Sequence, residues 1–347
     1  MKSSLECGWQ IALLLFWSAS PLWAVEPGGS TGQGTSIFSP ASTPAKSIAD
    51  VSVFVLVITG IIFLVVFALL LYSVVRFRGR AADGGREPAQ VYGSMQIELA
   101  WTIIPILIVV VLFLATARVI HAIQDAPEPA GALDVIAIGH QFWWEFRYPK
   151  LGIVTANELH IPVSDPDHPT PTFLQLLSVD TDHSFWVPEL AGKTDLIPNH
   201  PNRMWMDPQR TGVFMGQCAQ YCGTQHAKML LRVSVDRADD FGAWVHAQQK
   251  PAVEDAGVNA GRQVFERNAC MNCHAVGGTP ADGRFGPDLT HLMSRATIAA
   301  GAAENTHDKL RLWIQNPSAI KPGSLMPAMK LSDADLDAVV SYMETLH

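Results

Sequence analysis

Cysteine is scarce in this chain, with five residues in 347. Cys7 precedes the apolar run 11–17, which follows Lys2 and leads to Ala24, so residues 1–24 read as a cleavable signal peptide too short to span a bilayer. Leu22 is not the small residue wanted three positions before such a cut, so the cleavage point stays open. The other four cysteines fall into two tight groups, leaving none to staple the fold. That excludes a disulfide scaffold in a chain that otherwise reads as exported. Basic residues are also in short supply. Residues 122–250 hold 9 Lys+Arg against 15 Asp+Glu, and residues 251–347 hold 8 against 11. This acidity excludes a nucleic-acid partner and would draw a basic protein over long range, although ordinary solvated acidity gives the same balance.

Apolar residues are abundant instead, at 48% with a mean hydropathy of +0.17, which points to membrane segments. Val51–Val75 is an uncharged run of 25 residues, and Leu99–Ala117 is a second of 19 that contains Pro105. Each is long enough to cross a hydrocarbon core of about 30 Å, and a proline is tolerated where neighbours satisfy the freed carbonyl. Buried core helices are the alternative, but they rarely run so long without charge. Arg76, Arg78, Arg80 and Arg86 lie between the two runs. The positive-inside rule therefore puts that loop in the cytoplasm and both termini on the other side.

The densest chemistry lies in Cys218-Ala-Gln-Tyr-Cys222-Gly-Thr-Gln-His226-Ala-Lys-Met229, spaced C-x3-C-x3-H-x2-M. Two thiols, an imidazole and a thioether within twelve residues favour copper, zinc or iron–sulfur over hard cations. Two buried cysteines near a surface histidine would be the plainer reading for fewer donors. Around this motif, residues 134–138, 172–177 and 230–235 read as strands. Short strands broken by Pro, Gly and Asp predict a β-sandwich or barrel over 133–235. Such a scaffold suits electron transfer, because it holds ligands still while a metal changes charge. His183 follows a predicted strand and offers a second imidazole.

Cys270-Met-Asn-Cys273-His274 is the C-x-x-C-H pattern of covalent haem attachment. A thioredoxin pair would need a βαβ setting, and a zinc site would need further cysteines; both are missing. Haem iron at His274 then calls for a sixth ligand, and a methionine raises the reduction potential. Met326 is the first choice, in Leu325-Met326-Pro327, with Met329 as fallback and Met293 behind it. Ser332-Asp-Ala-Asp335 reads as a helix N-terminus, followed by Leu336, Val339, Val340, Met343 and Leu346 at helical spacing.

Asp180-x-x-His183-Ser-Phe-Trp-Val-Pro-Glu-Leu190, followed by C-A-x-Y-C-G-x-x-H-x-x-M, resembles subunit II of the haem–copper cytochrome c oxidases. That resemblance implies a cupredoxin-like domain with a mixed-valence dicopper centre, CuA. Cys218 and Cys222 would bridge the metals, His183 and His226 would be terminal ligands, and Met229 and the backbone carbonyl of Gln220 weaker ones. The family usually has glutamate where this chain has Gln220, and that carboxylate also helps hold magnesium at the contact with subunit I. A neutral amide is a poorer ligand for a hard cation, so magnesium is expected to be weakened or absent. In Gly139-His-Gln-Phe142-Trp143-Trp144 the family commonly reads G-H-Q-W-Y-W, its first tryptophan receiving electrons from soluble cytochrome c. Phe142 stands there, either as a plain aromatic swap or because electrons arrive from elsewhere, with Trp143 and Trp144 continuing the path. Glu98-Leu-Ala-Trp-Thr-Ile-Ile-Pro105 resembles the start of the family's second span, where the glutamate marks a proton-uptake path. Gly286-Pro287 and Met326-Pro327, with the last helix, resemble loops and helix of class I cytochromes c.

The expected architecture is a multidomain membrane protein: two transmembrane α-helices, a cupredoxin-like β-barrel, then an all-α class I cytochrome c domain. The boundaries expected are a signal peptide at 1–24, an exported segment at 25–48, a helical hairpin at 49–121 with its cytoplasmic loop at 76–98, the CuA domain at 122–245, a linker at 246–256 and the cytochrome domain at 257–347. This resembles subunit II of a caa3-type oxidase in a bacterial inner membrane, both exported domains periplasmic. It implies CuA, one covalent haem c, partnership with subunit I and subunit III, and an external donor such as a small cytochrome c or the bc complex. Oxygen reduction and pumping would belong to subunit I. A CuA-containing nitric oxide reductase has a similar small subunit, and a membrane-anchored copper carrier is the rival from another class. Nitrous oxide reductase carries a propeller missing here, and quinol oxidase subunits lack the copper donors.

Overall fold

The computed structural model describes residues 35–78, 90, 92–165, 167, 169–252 and 256–347. The signal peptide with Cys7 and Leu22, and the loop arginines Arg80 and Arg86, lie outside the described residues. Two long helices come first, α1 (Thr43–Arg76) and α2 (Met95–Gln124). Both are long and apolar enough to cross a membrane, and the side chains of their apolar windows point outward with none buried. Helix α1 starts eight residues before the uncharged run, because Lys46 and Asp50 pair across one turn at 2.9 Å. Its first turn is held by the β domain: Asp207 N donates to Ser42 Oγ (2.9 Å), and Pro44, Ala45 and Ala49 are buried. Helix α2 runs on through Pro105 to Gln124, and Trp205 Nε1 donates to the carbonyl of Ile123 at its far end.

Ten strands follow: β1 (Leu133–His140), β2 (Trp143–Tyr148), β3 (Ile153–Ala156), β4 (Glu158–Pro162), β5 (Thr172–Ser178), β6 (His183–Trp186), β7 (Thr194–Leu196), β8 (Asn202–Met206), β9 (Gly212–Cys218) and β10 (Leu230–Asp236). They form two five-stranded sheets, ordered β3-β2-β1-β5-β8 and β4-β10-β9-β6-β7. The expected barrel is therefore a cupredoxin-like sandwich, with β1–β5 and β4–β10 parallel and the remaining pairs antiparallel. Strand β10 alternates half-buried and buried residues along its length, the period-2 pattern of a sheet with one face in a core. Trp144 and Phe146 from one sheet meet Phe185 from the other edge to face in that core.

Helix α3 (Ala238–Gln248) closes the sandwich and extends into the stretch expected to be linker. Asp239 and Asp240 complement its N-terminal dipole, while Trp244 stacks on His160 (4.6 Å). The C-terminal region contains α4 (Asn259–Arg267), α5 (His307–Gln315), α6 (Pro317–Ile320) and α7 (Asp333–Met343). Ser332 caps α7 as expected, accepting from Asp335 N at 3.1 Å, and Leu336, Val339, Val340, Met343 and Leu346 all face the core. Phe265 of α4 meets Tyr342 of α7 edge to face at 5.9 Å. The region is not purely helical: β11 (Thr297–Ile298) and β12 (Ala303–Glu304) form a small ladder. Two residues per strand carry too little periodicity to be read from sequence.

Candidate metal centre and haem cleft

His183 opens β6, Cys218 ends β9, and the loop from Ala219 folds back through a short 3-10 turn to Met229, just before β10. Adjacent strand ends therefore carry residues separated by 35 positions into contact. Cys218 Sγ and Cys222 Sγ are 3.9 Å apart, far outside disulfide distance. His183 Nδ1 lies 3.9 Å from Cys218 Sγ, and His226 Nδ1 lies 3.8 Å from Cys222 Sγ. Met229 Sδ is 3.9 Å from Cys222 Sγ, and the Gln220 carbonyl is 3.1 Å from Cys218 Sγ. Cys218, Cys222 and Met229 are buried, whereas the Gln220 side chain is exposed. All six sequence-predicted donors thus converge, with soft sulfur at the centre and an imidazole at each end, which fits a pair of copper ions.

Hydrogen bonds around His183 and the two thiols set how these donors present themselves. His183 Nε2 donates to Asp180 Oδ1 (2.8 Å), which leaves Nδ1 as the lone-pair atom facing Cys218. Burial pushes the Asp180 carboxyl up. Hydrogen bonds from His183 and from the N–H groups of Thr181 and Gln141 outweigh it and hold the group below its ordinary value. The hydrogen bond between the thiols draws Cys218 down and drives Cys222 up. Gln141 Nε2 donates to the Cys222 carbonyl (2.6 Å). The Phe142 ring packs on Gly223, where a Cβ would come within 2.9 Å of Cζ.

The second site is a cleft of about 430 Å³ lined by Cys270, Cys273, His274, Met326 and Met329. Cys270–Asn272 is a 3-10 turn entered through left-handed Ala269 (φ 62°), so both thiols and the imidazole reach one cavity. His274 Nδ1 donates to the Pro287 carbonyl at 2.7 Å, leaving Nε2 as the free lone pair. Burial lowers the His274 pKa and so favours the neutral ring that a metal ligand requires. Gly286 permits this placement, because a Cβ there would stand 2.5 Å from the imidazole Cε1. Met326 packs against the core of this domain. Arg295, absent from the sequence reading, is buried on the cleft wall; its Nη2 donates to the Asp288 carbonyl (2.5 Å), while Nε has no hydrogen-bond partner among the described residues. A buried guanidinium with a spare donor suits an acidic group such as a haem propionate, so the cleft fits haem.

The cleft has walls from two domains. Phe142, Trp143, Asn157 and Gln225 of the sandwich line it beside the cytochrome residues. Trp144 is instead fully buried in the sandwich core, its ring 6.1 Å from that of His183. Glu98 sits apart from both sites, in the first turn of α2.

Family models match the chain in order: the transmembrane domain of cytochrome c oxidase subunit II over residues 30–119, its periplasmic domain over 167–235, and cytochrome c over 258–347. Cytochrome c oxidase subunit 2 of Alkalihalophilus pseudofirmus is 35% identical across 88% of this chain and 89% of its own length. The chain belongs to the cytochrome c oxidase subunit 2 family. The corresponding subunit of Bacillus sp. strain PS3 is 33% identical over 78% of this chain and 80% of that relative. Quinol oxidase subunit 2 of Bacillus subtilis is 30% identical over 62% of this chain and 67% of its own length. As a subunit 2 with a fused cytochrome c domain, the chain is membrane-anchored and transfers electrons within a haem–copper terminal oxidase.

Proposed function

We propose that this subunit passes electrons from a haem c, attached through Cys270 and Cys273 and ligated by His274 and Met326, to a CuA centre. That centre is held by His183, Cys218, Cys222, His226, Met229 and the Gln220 carbonyl. The observation that carries this reading is the convergence of two thiols, two imidazoles, a thioether and a backbone carbonyl beside a cleft that holds the complete C-x-x-C-H set. When bound, the two groups supply one-electron carriers whose charge changes need little rearrangement. The chain's own residues fix tautomers (Asp180, Pro287), exclude water and hold the aromatic bridge Phe142–Trp143–Trp144 in place. Phe142 lines the haem cleft and also packs on Gly223 beside Cys222, so its ring spans the two sites. This gives the departure from the family's tryptophan a meaning: the donor is built in. The quinol-oxidase alternative is opposed by the complete donor set.

The proposed domain division is a hairpin at 49–121, a CuA domain at 122–245, a linker at 246–256 and a cytochrome domain at 257–347, with α1 and α2 running past the hairpin bounds to Thr43 and Gln124 and α3 reaching Gln248 inside the linker. Both exported domains lie on the periplasmic side of a bacterial inner membrane. Subunit I receives the electron and carries out oxygen reduction; subunit III and an external cytochrome c or bc-complex donor complete the assembly. The deciding experiment is an EPR and optical spectrum of the purified oxidase. A seven-line copper signal together with a low-spin c-type haem is expected, and loss of the copper signal from a copper-loaded sample defeats the reading.

Two finer assignments carry their own tests. The Gln220 amide is exposed and uncharged, so the neighbouring magnesium site is weakened. Elemental analysis is expected to find less than one tightly held magnesium per complex, and Gln220→Glu should restore it. Glu98, at the cytoplasmic end of α2, is proposed to admit protons toward subunit I. Glu98→Gln should slow proton uptake and turnover together by roughly 10-fold or more, the lower end of what a positioned proton-transfer group supplies being about 100-fold. Unchanged uptake would remove it from the path.

A further inference from the structure

We propose that Lys321 and Glu158 are positioning residues that fasten the haem domain to the copper-binding sandwich through two reciprocal buried, hydrogen-bonded side chains. Each domain sends one buried ionisable side chain into the other. The inference rests on the cofactor assignment above and concerns how the two sites are held at fixed separation.

Lys321 belongs to the haem domain and is only 3% exposed, and its Nζ donates to the carbonyl of Phe142 in the sandwich at 2.6 Å. Gln225 Nε2 returns two hydrogen bonds, to the carbonyls of Lys321 and Pro322 (both 2.9 Å). Lys228 Nζ adds a third, to the Ile320 carbonyl at 3.0 Å. At the other end, Glu158 of the sandwich is 5% exposed. Its Oε1 accepts from Thr297 N (2.8 Å) and Thr297 Oγ1 (2.6 Å), and its Oε2 from Ala296 N (3.0 Å). Between the anchors, Trp143, Ala156 and Ala300 form a buried apolar cluster, and Leu230 N donates to the Ala300 carbonyl (3.1 Å). Ala299 and Ala300 both adopt left-handed φ (55° and 56°), a conformation alanine avoids unless its surroundings impose it.

The physics makes this junction all-or-none. Burial pulls the Lys321 pKa down to about 7, a sign of how little water reaches the amine. A buried amine or carboxylate that slips off its partner is left dry with its hydrogen bonds unmade, which costs more than either the seated or the fully solvated state. Sliding is therefore penalised at both ends simultaneously, and the haem cleft stays pressed against Phe142 and Trp143. A surface held only by apolar contacts would lack this register.

The test is amide hydrogen exchange on the assembled oxidase. Lys321→Met should speed exchange at Leu230 and Thr297 roughly 10-fold, the effect of leaving one buried carbonyl without its hydrogen bond in a cooperative unit. Lys321 touches neither amide, so a merely local role would leave both unchanged. Exchange within the β9–β10 ladder, at Val233 for example, should not move. Glu158→Gln should loosen Leu230 similarly and provides the same readout if Lys321→Met fails to assemble. In either variant, the one electron lost by photoreduced haem c and gained by copper should transfer at a rate that depends on solvent viscosity. Acceleration confined to amides next to the substitution, with a viscosity-independent transfer rate, overturns the proposal. The copper and haem spectra of the wild-type sample are recorded alongside. Their absence would defeat the cofactor assignment and leave the exchange result standing by itself.

Discussion

Cys222→Ser is expected to erase the seven-line copper signal and to stop electron delivery while leaving the haem c spectrum unchanged. Cys222 Sγ is the hub of the centre, within 3.9 Å of Cys218 Sγ, His226 Nδ1 and Met229 Sδ. A serine oxygen is too hard and too short to bridge two coppers, so any metal bound would be a single ion in a different ligand field. Loss of a supporting hydrogen bond around a metal ligand typically costs roughly 10–100-fold, and loss of the bridging ligand should exceed that in turnover. The cytochrome domain acts as the internal control. Its core of Val264, Phe265, Leu336 and Val340 is separate from the core that contains Cys222, so the haem spectrum is expected to stay that of a low-spin haem. A variant that kept the seven-line signal would sink the assignment of Cys222 as a bridge.

The proposed copper donors were legible because four of the six lie within twelve residues, and a local spacing survives whatever the fold does with it. His183 was readable only through the motif around it; its distance from Cys218 follows from β6 pairing with β9, with Phe185 opposite Cys218. The long helices were legible from uncharged runs, but their ends were not. Lys46 and Asp50 interrupt the apolar pattern while satisfying each other one turn apart, so α1 continues through them. The interdomain anchors left no trace in the sequence. Lys321 stands before Pro322-Gly323, which reads as a solvated turn, and its partner Phe142 is 179 positions away. Glu158 and Thr297 are 139 apart. Arg295 has the same character: a single basic residue whose burial in the cleft depends on tertiary packing. Spacing reveals groups that act together along the chain, whereas a charge satisfied by a distant backbone resembles any surface charge.

The axial ligand opposite His274 gives the second large effect, and it separates two methionines that share one cleft. Met326→Ala should lower the haem c potential by on the order of 100 mV, a fraction of the roughly 0.8 V that axial ligation spans. It should also remove the weak long-wavelength band of a methionine-ligated ferric haem. Met329→Ala should do neither. Both side chains line the cleft, but only Met326 also packs against the domain's buried core, so its sulfur is held by more than the iron. A ligand on a braced side chain stays in place when iron changes charge, which an electron carrier requires. The external donor must then reduce a haem of lower potential, so steady-state turnover with a cytochrome donor should fall in Met326→Ala. Transfer from photoreduced haem to copper should survive, because the junction at Lys321 and Glu158 is untouched. If Met329→Ala shows the shifted potential and Met326→Ala does not, the ligand is Met329, and the bracing argument is wrong.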